Sequence, residues 1–98
     1  MNELNQEILN ACFTSTNSND VYRSLSLQAK VLAAKHGYTS RIQSTEYDRV
    51  SNRDNSPRHV KIIDNDGQVV RRYAMFISKS VDEDEDAIYR GCFRIIAH

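Results

Sequence analysis

Tryptophan is absent from this 98-residue chain, proline occurs once, and glycine and cysteine occur three times and twice. Each scarcity removes a class of function. Gly37, Gly67 and Gly91 stand alone, so no glycine-rich loop is present to cradle a phosphate. Cys12 and Cys92 lie 80 positions apart, and His36, His59 and His98 are spread along the chain; neither set has the close spacing of a zinc motif. No metal and no cofactor is therefore expected, and both cysteines read as buried cytosolic thiols, Cys12 as part of the core. Apolar runs such as Ala74-Met75-Phe76-Ile77 are far short of a membrane span. The first basic residue is Arg23, after Glu3 and Glu7, which is unlike a secretory signal. The expected location is the cytoplasm, with no membrane partner.

Neither sign of charge is in excess: Lys and Arg total 13, Asp and Glu total 13, and the net charge is zero. A strongly cationic nucleic-acid packager is thus excluded. Apolar residues make up 40% and charged residues 27%, an ordinary globular composition. The length suits a single compact domain over residues 1–98, with a polar loop at 48–57 and an acidic loop at 79–87. Such a chain buries roughly two thirds of its unfolded surface, and its net stability is on the order of 5–10 kcal/mol.

The periodicity predicts two helices followed by strands. Leu4, Ile8, Ala11 and Cys12 make one helical stripe over 2–13, with Glu3 and Glu7 near the positive end of the helix dipole. The polar stretch 14–20 offers N-caps for a second helix over 21–36, which Gly37 terminates. Alternation then replaces the helical period, predicting strands over 38–47, 59–63, 68–78 and 88–97. Asp64-Asn65-Asp66-Gly67 is the strongest local signal: a three-residue hairpin loop with Gly67 in the left-handed conformation. The expected fold is α+β, with two N-terminal helices packed on one face of a three- or four-stranded antiparallel sheet.

That hairpin sets the strand faces. An unbroken ladder pairs Ile63 with Val69 and Ile62 with Val70, placing Val60, Ile62, Val70, Ala74 and Phe76 toward the helices. The opposite face then collects His59, Lys61, Arg71, Tyr73 and Met75. Arg90, Arg94 and His98 of the last strand join them if Phe93 and Ile95 face the core. The candidate binding face is thus His59, Lys61, Arg71, Tyr73, Arg90, Arg94 and His98. Lys and Arg suit phosphates, and Tyr and His suit stacking on bases. The plainer reading is a solvated sheet surface covered by long side chains.

Asp82, Glu83, Asp84, Glu85 and Asp86 form a second candidate contact, an acidic loop that either recruits a basic partner or folds back on the basic face. The run lacks the ligand spacing and turn glycine of a calcium loop. Without those five charges the remaining 93 residues carry +5, so neutrality hides a segregated charge distribution.

No catalytic spacing is present, and enzymatic activity is not expected. The expected function is that of a small intracellular binding or regulatory protein of accessory, inhibitor or immunity type. It would act through protein–protein contact, with a homodimer as one form of it. Tyr22, Leu27, Val31 and Ala34 widen the apolar surface of the second helix and supply a route to such pairing. The alternative is a nucleic-acid-binding module using the basic outer sheet face. A third reading is a small metal-independent ribonuclease. The order of helices before an antiparallel sheet, with Arg, Lys, His and Tyr on it, is similar to that of RelE-like toxins. The similarity covers element order and residue types alone. It implies acid–base and phosphate-stabilising roles for His59, Lys61, Arg71, Tyr73 and Arg90. Balanced charge and an acidic loop weigh against holding a polyanionic substrate.

Overall fold

The computed structural model describes residues 2–44 and 58–96. The expected polar loop at 48–57, and His98, lie outside them. The fold is α+β with an antiparallel sheet. Its elements are α1 (Asn2–Asn10), β1 (Cys12–Ser15), α2 (Ser18–Lys35), β2 (Thr39–Ser44), β3 (Arg58–Ile63), β4 (Val69–Val81) and β5 (Ala87–Ile95). The five strands lie in the order β1-β5-β4-β3-β2, one more than the three or four expected.

The additional strand comes from the tail of the predicted first helix. Leu4 and Ile8 are buried as their spacing suggests, but α1 ends at Asn10 and Cys12 enters the sheet opposite Cys92. Pairing with β5 satisfies the backbone groups of this four-residue segment that face β5, and tertiary pairing overrides a weak helical stripe. Cys12 is consequently exposed, not part of the core. α2 begins three residues earlier than its apolar pattern. Asn17 is its N-cap, and the Asn17 side chain accepts a 2.8 Å hydrogen bond from the Asn19 amide. At the other end Gly37 has φ 81°, and the amides of Gly37 and Tyr38 donate to the carbonyls of Ala34 and Ala33, which closes the helix.

The core joins Leu4 and Ile8 of α1 and Val21, Tyr22, Leu25, Ala29, Leu32 and Ala33 of α2 to one face of the sheet. That face contributes Val60 and Ile62 from β3, Tyr73 and Met75 from β4, and Phe93 from β5. Tyr73 meets Phe93 edge-on, with ring centroids 6.3 Å apart, and donates a 2.7 Å hydrogen bond from its hydroxyl to Asn5 Oδ1. Burial pushes the Tyr73 phenol above its ordinary pKa. The neutral form is the one the fold stabilises, so this contribution is intact below pH ~10 and is lost as pH rises through the folded-state value.

The occupants of β4 correct the expected faces. Ile63 does pair with Val69, but Ile62 pairs with Arg71, leaving Val70 as an extra residue in a bulge. Beyond it every β4 side chain is reversed: Tyr73 and Met75 enter the core, while Arg72, Ala74 and Phe76 lie on the opposite face. One inserted residue has this effect because side chains alternate with a period of two.

Both hairpin turns have the same architecture. In the first, Asp64 Oδ1 accepts from the amides of Asp66 and Gln68, each at 2.9 Å, and Gly67 has φ 81°. In the second, Asp82 Oδ1 accepts from the amides of Asp84 and Asp86 at 2.9 and 2.8 Å, and Glu85 has φ 64°. The expected acidic loop at 79–87 is thus a tight turn at 82–86 between strands that continue to Val81 and resume at Ala87. Glu85 is the one described non-glycine residue at positive φ. Left-handed backbone costs an L-residue about 1–2 kcal/mol, and Glu85 also sits among four like charges. Glu85→Gly is expected to raise stability by about 1 kcal/mol, measured as a higher urea midpoint with an unchanged m-value. A lower midpoint would contradict this account of the turn.

Candidate binding face

Lys61 lies between the buried Val60 and Ile62, so strand alternation turns it away from the helices. Its cross-strand partners are Arg41 on β2 and Arg72 on β4. Three cations therefore stand side by side across three strands, separated by about 4.8 Å per strand. Like charges directly opposite one another oppose sheet formation. None of the three has an ion pair among the described residues, where the salt bridges join Glu7 to Lys35 at 3.0 Å and to His36 at 3.4 Å. Lys35, with a smaller contribution from His36, holds the Glu7 carboxyl below its ordinary pKa.

One step along the strands, His59 pairs with Ala74 and Ala74 with Arg94. Ala74 is only 4% exposed although it lies outside the core cluster. The next step brings Phe76, Cys92 and Cys12 together, and the one after that Ser78, Arg90 and Thr14. Phe76 is 36% exposed, with the Arg94 guanidinium carbon 4.4 Å from its ring centroid. The face opposite the helices, uncovered among the described residues, thus carries Arg41, His59, Lys61, Arg72, Arg90 and Arg94 around a partly exposed aromatic ring. The strand positions that make up this face hold no carboxylate among the described residues.

The expected candidate set is divided by this arrangement. His59, Lys61, Arg90 and Arg94 share the uncovered face; His98 lies outside the described residues. Arg71 and Tyr73 do not belong to it. Arg71 pairs with Ile62 on the helix side, with its Nε buried and lacking a hydrogen-bond partner among the described residues, and Tyr73 is fully buried. The five residues invoked for ribonuclease chemistry therefore do not converge on one surface. Arg41, Arg72 and Phe76 join the face beyond the expected set, the last two because of the bulge at Val70.

Asp82, Glu83, Asp84, Glu85 and Asp86 are all exposed at the tip of the β4–β5 hairpin. Carboxylate oxygens of Asp82, Asp84 and Asp86 lie within 4.8 Å of one another, which the shared turn geometry explains. Arg72 and Asp82 are ten residues apart on one strand direction, about 33 Å at strand rise. At that separation the turn lies several Debye lengths from the cation row at physiological salt.

No family model, no curated protein and no solved structure matches the chain. The reading of the site therefore rests on its residues. No helix among the described residues is long and apolar enough to cross a membrane.

Proposed function

We propose that the protein is a non-catalytic cytoplasmic binding module whose uncovered sheet face holds a single-stranded nucleic acid. The observation that carries this reading is the row Arg41–Lys61–Arg72, three adjacent cations without a carboxylate partner among the described residues. A sheet that keeps like charges opposite one another gives up some of its own stability, and a bound polyanion reverses that cost. Phe76 and the guanidinium of Arg94 stacked on it add a platform for a base, and Arg90 and Arg94 extend the positive track along β5. An acidic protein would satisfy the charges equally, but the ring amid the cations favours bases and phosphates together.

Binding of fluorescein-labelled single-stranded RNA and DNA, followed by anisotropy across a salt series, tests this. Three phosphate contacts predict a log–log salt slope of about −2 for a single strand. Absence of binding at low salt contradicts the proposal.

A second reading keeps protein–protein contact as the function. Leu27 and Val31 are 62% and 53% exposed and, with exposed Ala34, form an apolar stripe on the solvent side of α2. Tyr22, expected on this surface, is buried instead. A regulatory protein pairing through α2, with itself or another chain, would use this stripe. Val31→Glu should then abolish the association in light scattering or capture without changing nucleic-acid affinity. Retained association would remove the stripe from the account.

A further inference from the structure

Cys12 and Cys92, distant in sequence, are directly opposite one another in the β1–β5 ladder and share the uncovered face. Cys12 is exposed and Cys92 half-buried, and both are free thiols. Residues directly opposite in an antiparallel pair have Cα atoms about 4.5 or 5.5 Å apart, according to their place in the hydrogen-bond pattern. Both values fall within the roughly 4.4–6.8 Å that a disulfide spans. Their Cβ atoms stand about 4.5–5.5 Å apart in a regular ladder, against about 3.5–4.5 Å in a disulfide. Closure to the typical separation of about 3.8 Å therefore requires an approach of about 0.7–1.7 Å. β1 is a four-residue edge strand with a neighbour on one side only, and an edge strand yields more readily than a central one.

The surroundings favour reaction with an anionic oxidant. An Arg90 guanidinium N–H contacts Cys12 Sγ at 3.8 Å, and Arg94 flanks Cys92 along β5. No described carboxylate occupies the strand positions of this face. A disulfide bearing carboxylates, such as glutathione disulfide, would approach a cationic surface on which the more accessible sulfur is Cys12.

We propose that Cys12 and Cys92 form a redox-active dithiol that glutathione disulfide converts to an intramolecular disulfide. The Cys12 thiolate attacks one sulfur of glutathione disulfide; that S–S bond breaks and one glutathione leaves as thiolate. The Cys92 thiolate then attacks the Cys12 sulfur of the mixed disulfide, and the second glutathione leaves. Two protein thiols are oxidised, one glutathione disulfide is reduced to two glutathione molecules, and the two thiol protons end on them. The link ties the N-terminal α1–β1 segment to the last strand across 80 positions of chain. The oxidised protein is accordingly the more thermostable form.

The test uses the unmodified chain. Reduced protein is equilibrated in glutathione buffers of rising oxidised fraction, quenched with iodoacetamide, and read by intact mass and peptide mapping. The expected product is a monomer about 2 Da lighter than the reduced chain, unalkylated, with the Cys12 and Cys92 peptides linked. Its Tm should exceed that of the reduced form by at least about 5 °C. Cys92→Ser should stop at a mixed disulfide on Cys12. Persistent alkylation of both cysteines, a stable mixed disulfide in the unmodified chain, or a linkage between two chains would each overturn the proposal.

Discussion

Gly91→Ala is expected to destabilise the protein by about 3 kcal/mol, close to half of the net stability a domain of this size commands. Gly91 is buried in β5 beneath α2, and a Cβ there would overlap Cγ1 of Val21 and lie 2.8 Å from Cδ1 of Leu25 and 3.4 Å from Cγ1 of Ile77. Leu25 can turn its terminal methyl aside. Val21 is β-branched and stiff at χ1, so its methyl yields only if the helix moves. The usual gain of about 0.5–1 kcal/mol from replacing a strand glycine by alanine is too small to compensate. A Tm lower by at least about 10 °C is the expected reading. Val21→Ala removes the obstructing methyl at the cost of a small cavity. Combined with Gly91→Ala, it should be less destabilising than the sum of the two single changes by about 1 kcal/mol or more. Strict additivity would show that the glycine serves another purpose than admitting α2.

Lys61→Glu should move binding and stability in opposite directions. Lys61 is the centre of the cation row, so its reversal removes one phosphate contact and places a carboxylate beneath the path of the polyanion. Affinity for a single strand at low salt should fall more than about tenfold, and the salt slope should shrink by about 0.7 for the lost contact. The same carboxylate lies between Arg41 and Arg72, replacing two like-charged cross-strand pairs by two opposite-charged ones. Such pairs are each worth about 0.2–1 kcal/mol, so the folded state should gain stability. Phe76→Leu should weaken binding while leaving the salt slope unchanged, because stacking releases no counterions. A Lys61→Glu variant that loses both binding and stability would mark the row as structural.

How much of this was legible in the sequence depended on how local the signal was. Asp64 to Gly67 declared its turn because left-handed backbone at position 67 has a residue-type requirement, and Gly37 declared the end of α2 for the same reason. The acidic turn has the same geometry but places Glu85 where glycine belongs, so its tightness was hidden behind its charge. β1 could not be read because four residues of mixed polarity fold as a strand only through the β5 ladder. β4 was misphased because its two alternating sets are both substantially apolar: Val70, Ala74 and Phe76 against Val69, Tyr73, Met75 and Ile77. The bulge at Val70 decides between them, and it belongs to the pairing of two strands and not to either strand alone. His59 and Lys61 of β3 lie on the expected side of the sheet, whereas the bulge exchanges Arg71 and Tyr73 of β4 for Arg72 and Phe76.

The most direct test of the central claim is a backbone-amide NMR titration of the protein with a short single-stranded oligonucleotide at low salt. The account predicts shift changes concentrated at Arg41, His59, Lys61, Arg72, Ala74, Phe76 and Arg94, with Leu27, Val31 and Ala34 unperturbed. Changes centred on α2, or none on the uncovered sheet face, would contradict it.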